Sequence, residues 1–313
     1  MKTVINTVVL LSRDNLLLKQ LQAAFARSAP QLTVVLADDP LATNAQIAAC
    51  WFPLPGSLGA LPNLQVVHSV AAGIDHLEND PSCPDLPVCR VVDPGHRQGM
   101  TEYVRWAVIH YHRGFDQVLV QQQKQHWERP LQRAAGQFKV GVMGLGSLGS
   151  AIAEDLVAAG YDVRGWARRS KDLSGVRTFA GAEQLNPFLD GVELLINLLP
   201  LTGETRGILG RATFERLANG AALVNCGRGG HLNIDDLEQA LKTGKLRGAL
   251  LDVFEQEPLP ADHRLWTLPG VTITPHMASA ASHDCIAEQV AENFRRLNAD
   301  EPLLNCADRT LGY

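Results

Sequence analysis

The chain has little in it that would staple, span or coat anything. Its 313 residues carry only 6 cysteines, at Cys50, Cys83, Cys89, Cys226, Cys285 and Cys306, with no CxxC pair and no histidine spacing of the zinc-finger kind. A disulfide framework and a thiolate metal site are therefore not expected, and His110 and His112, two apart on one helix, point in different directions. No apolar run approaches the roughly 18 residues needed to cross a bilayer, and no N-terminal stretch has the build of a secretory signal. Charge of one sign is also missing: 28 Lys and Arg stand against 33 Asp and Glu, a net −5 scattered along the chain. That argues against a nucleic-acid or membrane partner and leaves a reducing cytoplasm as the expected compartment.

What is present is core. Hydrophobic residues make up 46% and charged residues 19%, which excludes wholesale disorder, and the length suggests two domains. Short Val- and Leu-rich runs at 7–11, 32–37, 48–54, 65–70 and 88–92 alternate with helical patterns such as 15–29, as in strands buried on both faces of a parallel sheet. Tyr103, Trp106, Ala107, His110, Tyr111, Phe115 and Val118 recur at three and four, which predicts one long helix over 102–125. A second series follows, with strands expected at 139–143, 162–166, 194–198, 222–225, 249–253 and 271–274 and helices between them, 235–242 among these. A last helix is expected over 282–298. The fold class is α/β, with two doubly wound parallel-sheet domains.

The run Val140-Gly-Val-Met-Gly144-Leu-Gly146-Ser147-Leu148-Gly149 is a GxGxxG between a strand and a helix. Gly144 suits the tight turn, Gly146 a close backbone approach to a pyrophosphate, and Gly149 close helix-to-strand packing. The amides that open the helix offer the phosphates free donors and a positive dipole end. About 20 residues on, an NAD-specific site carries a carboxylate for the ribose 2′-hydroxyl. Here the strand ends Trp166-Ala167-Arg168-Arg169-Ser170-Lys171, which favours the 2′-phosphate of NADPH and leaves NAD(H) possible.

Three further segments place reactive side chains beyond strand ends. Val224-Asn-Cys226-Gly-Arg228 supplies a cation, Leu251-Asp252-Val-Phe-Glu-Gln-Glu257-Pro a carboxylate, and Thr274-Pro-His276 an imidazole. Reduction of a 2-oxo acid needs a cation for the carboxylate and the developing oxyanion, and an acid to protonate that oxygen. Arg228 and His276 fit those roles. Glu257 in contact with the ring would orient it and favour its protonated form.

Together, and in this order, the glycine turn and these three segments resemble the D-isomer-specific 2-hydroxyacid dehydrogenase family, and Ser69-Val-Ala-Ala72-Gly73-Ile-Asp75 resembles that family's substrate loop. Trp51-Phe-Pro-Leu-Pro, Trp166-Ala-Arg-Arg-Ser-Lys, Leu195-Ile-Asn-Leu-Leu199-Pro200 and Pro258-Leu-Pro260 with Leu265-Trp266 resemble its glyoxylate/hydroxypyruvate reductase A group. The resemblance implies NADPH-dependent reduction of glyoxylate to glycolate and of hydroxypyruvate to D-glycerate. It also implies a flavodoxin-like substrate domain over 1–98 and 282–313, a Rossmann cofactor domain over 99–281, a cleft between them, and a homodimer.

By the same resemblance, Ser147, Leu148, Leu199, Pro200, Cys226 and Asp252 would meet the cofactor, and Ala72, Gly73, Trp51 and Arg228 the substrate. Asp252 can equally be a structural or capping residue, and Trp51 can equally fill the core. Glu102 would open the interdomain helix near the cofactor, although Met100-Thr101 before it departs from the family pattern, as does the absence of an acid at position 167. Other members remain alternatives: a 2-hydroxyacid dehydrogenase of other substrate preference, or a nucleotide-sensing binding protein. Glu257 argues against a formate dehydrogenase, and the short tail against a phosphoglycerate dehydrogenase with a regulatory domain.

Overall fold

The first sheet grows from runs too uniformly apolar to face water on either side. In the computed structural model, which describes residues 6–78 and 83–307, β1 (Thr7–Ser12) is buried through Leu11. Asp14 then caps α1 (Asn15–Ser28), its carboxylate accepting the N–H groups of Leu16 at 2.8 Å and Leu17 at 3.1 Å. β2 (Thr33–Leu36), β3 (Ile47–Trp51), β4 (Val66–Ser69), the single turn α2 (Asp75–Glu78) and β5 (Val88–Cys89) follow. All five strands are parallel in the order β2-β1-β3-β4-β5, the flavodoxin-like arrangement.

The helix expected over 102–125 is two helices, and it begins earlier. α3 runs Pro94–His112 and α4 Phe115–Gln123, separated at Gly114, whose φ of +74° lies in the left-handed region that ends a helix. The threefold and fourfold spacing carries across the break, so periodicity alone hid it. Glu102 consequently lies in mid-helix, its Oε1 accepting from Gln98 Nε2 at 2.9 Å.

The second sheet opens with β6 (Lys139–Met143), α5 (Ser147–Ala158), β7 (Asp162–Ala167) and β8 (Arg177–Ala180). It continues with α6 (Leu185–Leu189), β9 (Leu194–Asn197), α7 (Arg211–Arg216), β10 (Ala221–Asn225), α8 (Ile234–Lys242), β11 (Leu246–Leu251) and β12 (Val271–Ile273). β8 is absent from the sequence reading because Arg177-Thr-Phe-Ala180 is a half-exposed edge strand with one buried ring, Phe179. The order β12-β11-β10-β9-β6-β7-β8, parallel throughout, is the Rossmann order extended by one strand. The order reverses between β6 and β9. Alternate residues feed opposite faces: Leu194 and Ile196 join Val140, Ile152 and Leu156 on one, and Leu195 joins Phe188, Phe214 and Leu237 on the other.

The last helix, α9 (His283–Asn298), is capped by the Ser282 hydroxyl and packs on α1 through a core shared with Ile286, Val290 and Phe294. The chain thus divides into two compact units, Arg97–Ser279 and the described residues on either side of it. Among the described residues no helix is long and apolar enough to cross a membrane.

Candidate active site

Within Arg97–Ser279 the candidate residues lie where parallel strands end, the edge at which ligands bind in such sheets. Gly144 leaves β6 at φ +98°, and a side chain there would come within 2.9 Å of the Leu198 carbonyl. At Gly149 an added Cβ would sit 1.8 Å from the Gly144 oxygen, so only glycine lets α5 close on the turn. Gly146 precedes the helix with nothing within 4 Å of its missing Cβ and no side-chain cap, and the first-turn amides of Ser147 and Leu148 have no intrahelical acceptor. The result is a bare backbone cradle. At the end of neighbouring β7, Arg168, Arg169 and Lys171 are exposed and make no ion pair among the described residues.

Two buried asparagines that the sequence reading passed over organise the next loops. Asn197, at the end of β9, donates from Nδ2 to Asn225 Oδ1 at 2.9 Å and accepts the Leu199 N–H. Asn225, at the end of β10, accepts the Gly227 N–H and donates to the Arg228 carbonyl at 3.1 Å. Leu199 is buried, Pro200 exposed, and Cys226 is buried with its thiol pushed well above its ordinary value by desolvation. The signal that could have found the pair is a lone amide closing each of two Leu- and Val-rich runs.

A third missed residue, His231, is fully buried. Its Nδ1 lies 3.0 Å from the Arg228 nitrogen and 3.1 Å from the Arg228 oxygen, and its Nε2 3.2 Å from the Pro200 carbonyl; a proton on Nε2 lets Nδ1 accept the Arg228 N–H and satisfies Pro200 as well. Burial pushes its pKa down, in keeping with a neutral ring. Gly229 presses the Arg228 turn onto the backbone of Phe254 and Glu255, where a Cβ would come within 2.0 Å. The Arg228 side chain, half-buried, donates from Nη1 to the Gly227 carbonyl at 2.7 Å.

Glu257 and His276 meet. Glu257 Oε1 accepts the Phe254 N–H at 2.8 Å, which fixes the carboxylate, and Oε2 takes His276 Nδ1 at 2.6 Å. Both side chains are mostly covered, at 16% and 26% exposure, so the contact is shielded from solvent competition. His276 has φ +51°, and its N–H reaches the carbonyls of Asp252 and Thr274. The left-handed turn just after β12 sets the ring against Glu257 in the loop after β11.

Asp252 underlies that turn. Its Oδ1 accepts from Thr274 Oγ1 at 2.7 Å and Met277 N at 2.8 Å, and its Oδ2 from Ala278 N at 3.0 Å, so both oxygens are engaged. Burial raises its pKa against the pull of these donors and of His276. Tyr103 from α3 donates in turn to Thr274 Oγ1 at 2.6 Å.

In the other unit, the loop Ala71–Gly73 is held by its carbonyls. The Ser69 hydroxyl lies 2.7 Å from the Gly73 oxygen, Arg90 Nη1 donates to Ala72 O at 3.3 Å and Val91 N to Ala71 O at 3.0 Å. The N–H groups of Ala72 and Gly73 make no hydrogen bond among the described residues. Trp51 is half-buried, packing on Phe52 and His76 with both ring centroids 4.8 Å away.

Residues 106–278 match the family model described as D-isomer specific 2-hydroxyacid dehydrogenase, NAD binding domain. A curated relative, glyoxylate/hydroxypyruvate reductase A of Serratia proteamaculans (strain 568), is 44% identical over 276 residues, covering 86% of this chain and 88% of that protein. Among solved structures, a D-isomer specific 2-hydroxyacid dehydrogenase family protein from Klebsiella pneumoniae 342 superposes with a TM-score of 0.91 at 46% identity over 97% of both chains. An NADPH-dependent glyoxylate/hydroxypyruvate reductase from Sinorhizobium meliloti, solved with NADP and sulfate, gives 0.89 at 33% identity over 98% of this chain and 100% of that one.

Proposed function

Because the chain belongs to the D-isomer specific 2-hydroxyacid dehydrogenase family, we propose that it reduces small 2-oxo acids with NADPH, glyoxylate to glycolate and hydroxypyruvate to D-glycerate. The observation that carries this reading is the contact between His276 Nδ1 and Glu257 Oε2. With Glu257 holding Nδ1–H, Nε2 is assigned the role of handing a proton to the substrate oxygen. Arg228 supplies the positive charge for the substrate carboxylate and the developing oxyanion. Asp252, through Thr274, Met277 and Ala278, keeps the turn that aims His276.

The bare turn at Gly144, Gly146 and Gly149 fits a pyrophosphate, with the amides of Ser147 and Leu148 as donors and Leu199, Pro200, Cys226 and Asp252 along the adjoining strand ends. Arg168 and Arg169 are assigned to the 2′-phosphate, which makes NADPH the preferred cofactor over NADH. The chemistry supplied by the nicotinamide bound there is hydride delivery to the 2-oxo carbon. We assign residues 99–281 to the cofactor and 1–98 with 282–313 to the substrate; of the latter, 1–5, 79–82 and 308–313 lie outside the described residues. Ala72 and Gly73 would give their amides to the substrate carboxylate and Trp51 an apolar wall.

A homodimer is part of this reading. Trp106, Ile109, Phe115, Leu119, Val120 and Trp127 are exposed on α3, α4 and the segment after them, and Trp127 is 100% exposed, an apolar display that a second copy would cover. Six free thiols suit a reducing cytoplasm.

The test is a steady-state panel of 2-oxo acids against NADPH and NADH. Glyoxylate and hydroxypyruvate with NADPH should lead in kcat/KM, and Glu257→Gln should lower kcat about 100- to 1,000-fold while leaving cofactor affinity in place. Preference for pyruvate or a branched or phenyl 2-oxo acid, or turnover indifferent to Arg228→Ala and His276→Ala, would sink the assignment.

A further inference from the structure

Cys89 and Cys306 are 217 positions apart in sequence, and their sulfurs stand 3.6 Å from each other. Neither belongs to the catalytic or cofactor set above. The segment carrying Cys306 runs antiparallel to β5: Arg90 N donates to Asn305 O at 3.0 Å and Ala307 N to Val88 O at 2.8 Å. Those two bonds bracket Cys89 and Cys306, which makes them a directly opposed, non-hydrogen-bonded pair. Such pairs bring Cα atoms to about 4.5 Å, inside the span a disulfide accepts. Closing the gap to a bond of about 2.05 Å needs side-chain rotation rather than backbone movement.

We propose that Cys89 and Cys306 form a reversible thiol–disulfide site that exchanges with low-molecular-weight disulfides and staples residues 305–307 to β5. Cys306, which is exposed, attacks as thiolate on one sulfur of a small disulfide such as oxidised glutathione and expels one thiolate. Cys89 then gives its proton to solvent, attacks the Cys306 sulfur and expels the second thiolate. Two protein thiols are oxidised and one small disulfide is reduced to two thiols. Burial pushes the Cys89 thiol up, so Cys306 is the entry point and proximity drives the second step.

The bond has a reach beyond the strand edge. The residues after Cys89 are Arg90 and Val91, which hold the Ala72 and Ala71 carbonyls of the loop assigned to the substrate carboxylate. Fixing β5 on one side therefore fixes that loop on the other, and this consequence rests on the function proposed above. In the reduced state residues 305–307 are held to β5 by the two backbone hydrogen bonds; the disulfide adds a covalent tie and stiffens the same edge.

The full-length protein is titrated with oxidised glutathione, then alkylated and mapped by peptide mass. The expected result is a Cys89–Cys306 linked peptide with loss of two hydrogen atoms, reversed by dithiothreitol and absent in Cys306→Ser, with a Tm rise of about 5 °C or more. KM for the oxo acid should differ at least threefold between oxidised and reduced protein, with KM for NADPH unmoved and Cys306→Ser insensitive to the oxidant. Stable glutathione adducts at Cys306 without the internal link, or oxidation confined to Cys83 or Cys285, would overturn the site. A linked peptide with equal KM in both states would overturn its hold on the loop. The link is read by mass, so a protein inert toward every oxo acid would refute the proposed function and leave the thiol site standing on its own result.

Discussion

His231 accepts the backbone N–H of Arg228 on Nδ1 at 3.0 Å and turns Nε2 to the carbonyl of Pro200, 3.2 Å away. One fully buried ring thereby ties the turn that carries the proposed substrate cation to the loop assigned to the cofactor. Each nitrogen has a different job, and two substitutions separate them. His231→Asn keeps an acceptor where Nδ1 stands but cannot reach Pro200; His231→Gln keeps a donor near Nε2 but abandons Arg228. Loss of one neutral hydrogen bond costs about 1 kcal/mol, or roughly fivefold. The Asn variant should therefore raise KM for NADPH about fivefold with little change for the oxo acid, and the Gln variant should do the converse. Parallel losses in both constants from both variants would show that the ring is only a packing unit.

The cofactor turn separates in the same way into a position that shapes the protein and one that meets a ligand. Gly149→Ala drives a methyl to 1.8 Å from the Gly144 oxygen, whereas Gly146→Ala meets nothing within 4 Å. Overpacking of that kind costs about 1–3 kcal/mol, a fall of roughly 2–12 °C in Tm for a unit of this size. Gly146→Ala should melt within about 1 °C of the parent yet bind NADPH at least tenfold more weakly, because its Cβ would stand where a pyrophosphate must approach. Calorimetry and fluorescence titration of NADPH decide the point; normal NADPH affinity in the Gly146 variant would remove the phosphate from that turn.

What could be read in advance was governed by how each feature is encoded. Both sheets were legible because a strand buried on two faces must be a short apolar run; Gly144 and Gly149 were legible because the turn leaves no room for a side chain there, and Gly146 because it stands between them in the motif. Gly114 was not, since the apolar spacing continues through it and only its left-handed backbone marks the end of α3. Glu257 and His276 were legible as side chains just past two strand ends, and their contact was a conditional expectation that the 2.6 Å hydrogen bond supplies. Asn225 and His231 were missed because they hold backbone, and a hydrogen bond to a peptide group leaves no partner side chain in the sequence to signal it; Asn197 was missed because its partner, Asn225, lies 28 residues away on the neighbouring strand.

The function proposed above assigns cofactor choice to Arg168 and Arg169, both exposed at the end of β7. A charge-assisted hydrogen bond to a phosphate contributes about 1.5–3 kcal/mol, so Arg168→Ala or Arg169→Ala should lower kcat/KM for NADPH by about 10- to 100-fold and leave NADH near parent values. Because these groups face solvent, the preference for NADPH should also shrink as salt is raised toward 1 M. A ratio of the two efficiencies that is insensitive to both substitution and salt would mark the basic loop as merely solvated.

Acid stability turns on a different histidine. His68, in β4, is fully buried; its Nδ1 donates to the Ser69 carbonyl at 2.9 Å, and its Nε2 has no partner among the described residues. Protonation would put an unpaired charged N–H in the core, and burial lowers the pKa from 6.5 to about 4. The unfolded chain takes up that proton below about pH 6.5 while the folded protein resists it until about pH 4. Unfolding is therefore favoured as pH falls through that window, and the contribution of the neutral ring is intact above it. The shift is worth about 3 kcal/mol between those limits. His68→Asn retains a donor to Ser69 and cannot titrate. Urea unfolding at pH 7, 5.5 and 4 should show the parent losing about 3 kcal/mol more than the variant across the range, and equal acid limbs for the two proteins would place the sensitivity on other groups.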